Sequence, residues 1–184
     1  MSVINDNFIH LDVDMDLVME CSDFLEGHSI AQRGIADGSK EDQLTGLIGE
    51  AMVKQAFNFK PLFSEGYDGG YDLELGGVKI DVKTMSRNVY PKPYYVNNFI
   101  ALQEHFDCDV YVFCSLNRVT NVLTICGWVT KEQLFDRGDK YKKGESRRRS
   151  DGSSLILKAD TYEIENKYLN DFFELSTFCY KLGI

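Results

Sequence analysis

Tyr71-Asp72-Leu73-Glu74-Leu75-Gly76-Gly77-Val78-Lys79-Ile80-Asp81-Val82-Lys83-Thr84 reads as two short strands joined by a Gly-Gly turn. Both arms alternate apolar and charged residues, the period of a half-buried strand. Two-residue turns with glycine at positive φ are the favoured hairpin connection. With Gly76 and Gly77 as the turn, Leu75 faces Val78, Glu74 faces Lys79, Leu73 faces Ile80 and Asp72 faces Asp81. Alternation then puts Tyr71, Leu73, Leu75, Val78, Ile80 and Val82 on one face. Asp72, Glu74, Lys79, Asp81 and Lys83 share the other.

This register sets two carboxylates about 5 Å apart, where like charges destabilise a strand pair. At an effective dielectric of about 20 their repulsion is about 3 kcal/mol. A divalent cation between Asp72 and Asp81 offsets it, since hard carboxylate oxygens suit magnesium or manganese. Lys83, two residues beyond Asp81, reaches the same volume. Two acids, a cation and a lysine can position and activate a water beside a phosphate. The alternative is a solvated hairpin face on which Lys79 and Lys83 neutralise the aspartates without a metal.

The chain of 184 residues is long enough for one compact domain spanning 1–184. A charge of −9 excludes a surface that is basic overall. Nucleic-acid binding therefore needs a local basic patch or metal-bridged contacts. The five cysteines are odd in number, scattered and without a CxxC pair. They read as reduced core thiols of a cytoplasmic protein. The three histidines show no zinc-ligand spacing. No apolar run approaches a membrane span, and the N-terminus lacks the pattern of a signal peptide.

Along the chain, apolar spacing predicts an N-terminal helix over 15–33 and a second over 41–57. Gly46 and Gly49 inside the second helix cost about 1 kcal/mol each against alanine. They make sense if their stripe closely approaches another backbone, which would hold Glu50 in a helix–sheet seam. Otherwise Glu50 is an exposed helix residue. Asp68 is a turn residue or a further acid near the hairpin. In the stretch 85–99, Arg87, Lys92, Tyr90, Tyr94 and Tyr95 either line a nucleic-acid groove by charge and stacking or form a surface loop stiffened by prolines. A short helix is expected over 100–106. Residues 109–115 and 122–129 read as core strands. Thr130 and Gln133 have capping-box spacing. Arg137, Lys140, Lys142, Lys143, Arg147, Arg148 and Arg149 form the strongly basic segment, read as a solvated loop or a phosphate-contacting one. A short strand over 155–157 and a C-terminal helix over 166–178 complete the chain.

Glu50 on a helix, then Asp72, then Asp81-Val82-Lys83 on the next strand resembles the PD-(D/E)XK nuclease superfamily over about residues 41–129. Tyr71 stands where the motif name has proline. The resemblance implies an α/β, restriction-endonuclease-like core with a mixed sheet of four to five strands flanked by helices. It implies Mg2+-dependent hydrolysis of phosphodiester bonds in DNA, with Mn2+ as a substitute, by an endonuclease of restriction, repair or phage type. Asp72, Asp81 and Glu50 would hold the metal with the Val82 carbonyl, and Lys83 would orient the water and stabilise developing charge. Members that cut both strands are often dimers, which makes a homodimer an expected partner alongside DNA. The competing expectation is a catalytically silent module of the same fold that binds DNA or protein.

Overall fold

The computed structural model describes residues 7–27, 39–64, 69–148 and 152–182. The central hairpin forms as its glycines dictate. Strands β2 (Leu73–Leu75) and β3 (Val78–Arg87) pair antiparallel in the expected register, Leu73 with Ile80, Glu74 with Lys79 and Leu75 with Val78. Gly76 and Gly77 both have positive φ, 57° and 82°, as such a turn requires.

Around the hairpin lies a mixed five-stranded sheet. β1 (Ile9–Asp12), β5 (Val110–Asn117) and β6 (Val122–Thr130) complete the order β1-β6-β5-β3-β2. Only the β3–β5 pair is parallel, with Asp81 beside Tyr111 and Lys83 beside Phe113. β5 is buried along its length, as its near-continuous apolar sequence demands.

Two cores follow from strand alternation. The first lies between one sheet face and the helices α1 (Met15–Gly27), α2 (Lys40–Ala56) and α4 (Phe173–Leu182). It gathers Ile80, Val82, Val110 and Val112 with Cys21, Ala51, Met52 and Leu175. The opposite face carries Tyr111, Phe113 and Val129. It is covered by α3 (Lys131–Arg137) and by a second sheet of β4 (Val96–Ile100), β10 (Thr161–Glu165) and β7 (Asp139–Tyr141), in the order β4-β10-β7. β8 (Ser146–Arg148) and β9 (Ser154–Ile156) form a separate ribbon.

The α2–β3 seam explains one of the two helical glycines. A Cβ on Gly49 would lie 1.8 Å from Thr84 Oγ1, so the helix can approach β3 only without a side chain there. Gly46 would meet nothing within 4 Å, so close approach does not account for it. Both helix starts are capped as the sequence suggests: Ser39 and Asp42 form a capping box at α2, and Thr130 and Gln133 one at α3.

Several expectations need correction. The helix expected over 15–33 is described only as far as Gly27, and its remainder lies outside the described residues. The expected helix over 100–106 is a three-residue 3-10 turn, Ala101–Gln103. The C-terminal helix begins at Phe173 rather than at residue 166, because Asn170 bridges to Trp128 and Asp171 O accepts the Trp128 indole N–H at 2.7 Å. The stretch 85–99 and the basic segment are not plain loops, since they contribute β4, β7 and β8. Tyr71 leaves the face of Leu73 and packs on the second core, with Lys79 Nζ 5.5 Å from its ring centre. All five cysteines are buried and free. Among the described residues no helix is long and apolar enough to cross a membrane.

Candidate active site

The paired strands end at Leu73–Ile80, and beyond that point the chain departs from a simple hairpin. Asp72 N–H donates to Ile80 O at 2.8 Å, and Asp72 Oδ2 accepts the Val82 N–H at 2.6 Å. The Asp72 carboxylate therefore takes a ladder hydrogen bond on β3 with its side chain. It is not the register partner of Asp81 that an extended hairpin predicts. Val82 itself is buried in the first core.

Asp81 and Lys83 share the sheet face of their β5 neighbours Tyr111 and Phe113. Asp81 is 5% exposed, and its Oδ2 forms an ion pair with Lys83 Nζ. Lys83 retains partial contact with solvent and so marks where the buried carboxylate opens outward. Glu50 is half-buried on α2, where its Oε1 accepts from Lys54 Nζ at 2.5 Å. Lys54 is fully buried, and its ammonium donates a further bond to Leu62 O at 3.3 Å.

The electrostatics tie these groups together. Burial first, then the Asp81 carboxylate, then that of Glu50, push the Asp72 carboxyl well above the usual carboxylate range. Lys83 and the Val82 N–H pull in the other direction without cancelling the effect. A charge loses solvation on burial and is repelled by like charges, and both raise an acid's pKa. Cys108, also buried in this quarter, has its thiol pushed up to about 12, by burial above all and next by Asp81.

The donor set tests the fit of a divalent cation. Three carboxylates, Glu50, Asp72 and Asp81, stand against the ammonium groups of Lys54 and Lys83, and hard oxygen donors suit magnesium. Among the described residues, no three His, Cys, Asp or Glu side chains are already gathered around one point. Each acid is instead held by a neighbour: Asp81 by Lys83, Glu50 by Lys54 and Asp72 by the Val82 N–H. The residues fit such an ion in charge and donor chemistry, and side-chain rotation would have to bring them together.

The expected nucleic-acid contacts divide sharply. Arg87 lies on the Asp81–Lys83 face, donates to Val96 O at 2.7 Å and packs 5.0 Å from the Tyr95 ring centre. Lys92 and Tyr94 are exposed neighbours, 5.8 Å from ammonium to ring centre. Three cations of the basic segment, by contrast, are paired within the protein. Lys140 binds Glu104, Lys142 binds Asp160, and Arg147 binds Glu163 while stacking 3.6 Å over Tyr141. The Lys143 backbone N–H also donates to Asp160, at 2.9 Å, and Arg148 is exposed. Arg149 and Asp68 lie outside the described residues. β7 belongs to the second sheet and β8 to the ribbon, so this segment is not joined to the hairpin's sheet.

Sequence reasoning missed Lys54. Its spacing of four from Glu50 on a helix was the available signal. A scan against protein-family models, a search of characterised proteins and a search of solved structures return no match for this chain.

Proposed function

We propose that this protein is a metal-dependent nuclease with a restriction-endonuclease-like core, hydrolysing phosphodiester bonds in DNA. The observation that carries the reading is three carboxylates, Glu50, Asp72 and Asp81, set against two lysines, with Asp81 buried. Asp81 and Glu50 both raise Asp72, and Lys83 only partly offsets them. Burial and two like charges oppose the ionisation of Asp72, a cost that a bound cation would remove. Strong perturbation of this kind marks functional sites. The mixed five-stranded sheet, with α2 packed on β3, supports the same assignment.

Asp72, Asp81 and Glu50, with the Val82 carbonyl, would hold Mg2+ or Mn2+. When bound, the ion would polarise the phosphodiester and make a water more acidic. The chain's own residues do the rest. Lys83, released from Asp81, donates hydrogen bonds to a phosphate oxygen and stabilises the charge that builds there. Lys54 holds Glu50 Oε1 and so limits the rotation of that carboxylate. Tyr111 and Phe113 wall the Asp81 side of the site and exclude bulk water, which strengthens every charge interaction inside it.

The test is purified protein on supercoiled DNA with magnesium, manganese or chelator. Nicking with metal, lost in folded Asp81→Ala and Lys83→Ala, is the expected result. Nicking that survives in both folded variants rejects the assignment. A second reading, a silent binding module, is favoured by one observation: each acid already has a partner within the protein. DNA binding without metal-dependent turnover would select it.

A further inference from the structure

Beyond Lys83, the same sheet face continues into a row of Met85 and three polar residues. Met85 pairs with Ser115, Ser115 with Thr124, and Thr124 with His10, so these four lie side by side across four strands. His10 Nδ1 and Thr124 Oγ1 share a hydrogen bond of 2.8 Å. Ser115 Oγ is buried and has no hydrogen-bond partner among the described residues. Arg87, two residues past Met85, lies on this face as well.

Aromatic rings flank the row. Tyr90 stands edge-on to His10, with ring centres 5.3 Å apart, and remains 45% exposed. Tyr95 packs against the Arg87 guanidinium and holds Tyr94 edge-on at 5.3 Å, leaving Tyr94 55% exposed. Lys92 reaches over the Tyr94 ring. At about 3.3 Å per residue, Arg87 lies roughly 13 Å along β3 from Lys83, a span of a few nucleotides.

We propose that this surface binds an unpaired strand of nucleic acid and feeds it to the Asp81–Lys83 site, with bases stacked on Tyr90 and Tyr94 and phosphates met by Arg87 and Lys92. The proposal rests on the nuclease reading for its second half only. Tight duplex binding draws on many free cations that neutralise phosphates. Here Lys140, Lys142 and Arg147 are engaged with Glu104, Asp160 and Glu163, and the chain carries a net charge of −9. Stacking needs little positive charge and tolerates any base, but it needs ring faces that a duplex hides in its own stack. Two half-exposed tyrosines, each held by a second ring and accompanied by two cations, meet that need.

The test is fluorescence anisotropy in chelator, which stops turnover, with labelled oligothymidylate, oligouridylate and a DNA duplex of equal length. The expected result is tighter binding of a single strand than of the duplex. Whichever single strand binds better assigns the sugar. Tyr90→Ala and Tyr94→Ala should each weaken binding about tenfold or more. Phe at either position should preserve it. Tyr90→Leu and Tyr94→Leu keep apolar bulk and guard against a folding defect, and they should weaken binding like alanine. Equal or tighter duplex binding, or unchanged affinity in the Leu variants, overturns the proposal. Single-strand binding without cleavage under metal removes the nuclease reading and leaves this one. Duplex cleavage without a single-strand preference does the reverse.

Discussion

The hairpin and the basic segment are both charged runs, yet the fold treats them in opposite ways. Between Asp139 and Arg148 the cations meet acids from other parts of the chain, Glu104 and Asp160 at the surface and the buried Glu163. Around Asp72 and Asp81 three acids face two lysines, with Asp81 buried and Asp72 and Glu50 half-buried. Matched surface charge costs little and stabilises little. Buried charge without a partner is expensive, and strongly perturbed acids cluster at functional sites. A run of charge in sequence therefore says little until its partners and its burial are known.

The largest effect that can break this comparison is catalytic. Lys83→Ala should lower metal-dependent DNA nicking by about a hundredfold or more, the scale of a lost charge-stabilising donor, with an unchanged circular-dichroism spectrum. Next comes Lys54→Met. It leaves the half-buried Glu50 without its ammonium partner, and breaking such a pair costs about 3 kcal/mol, to be read from denaturant unfolding. Gly49→Ala forces a methyl against Thr84 and should cost about 2 kcal/mol by the same measurement.

A pH series sharpens the comparison further. The raised Asp72 carboxyl holds its proton to higher pH in the folded chain than in the unfolded one. Its contribution to stability is thus complete below the ordinary carboxylate range and is lost as pH climbs toward the raised value. In chelator, Asp72→Asn should flatten that decline while keeping an oxygen for the Val82 N–H. The smallest effect belongs to the surface. Lys142→Ala removes an exposed partner of Asp160 and should leave the unfolding midpoint unchanged.

Much of the architecture was legible where local chemistry is strong. The Gly76-Gly77 turn set the hairpin register, Thr130 with Gln133 marked the start of α3, and the apolar run of β5 announced a central strand. What escaped depends on distant partners. β1 is four residues long and is fixed by pairing with β6, more than a hundred residues away. β4 carries Asn97 and Asn98 at its middle, which read as loop until Asn97 bonds Ile164 O and Asn166. The Asp81–Lys83 pair could be seen as a shared face, but the swing of Tyr71 and the capture of Val82 N–H by Asp72 could not, since both arise where the strand pairing ends. Lys54 drew no reading from the sequence, because its burial is a property of the α2 packing and not of its neighbours in sequence.

The most direct test of a cation held by Asp72, Asp81 and Glu50 is thermal unfolding during a manganese titration, on the wild type and on Asp81→Asn. A ligand held only by the folded state must raise its stability. The account predicts a rising melting temperature for the wild type and none for Asp81→Asn. A flat wild-type titration, or an equal rise in both proteins, would contradict it.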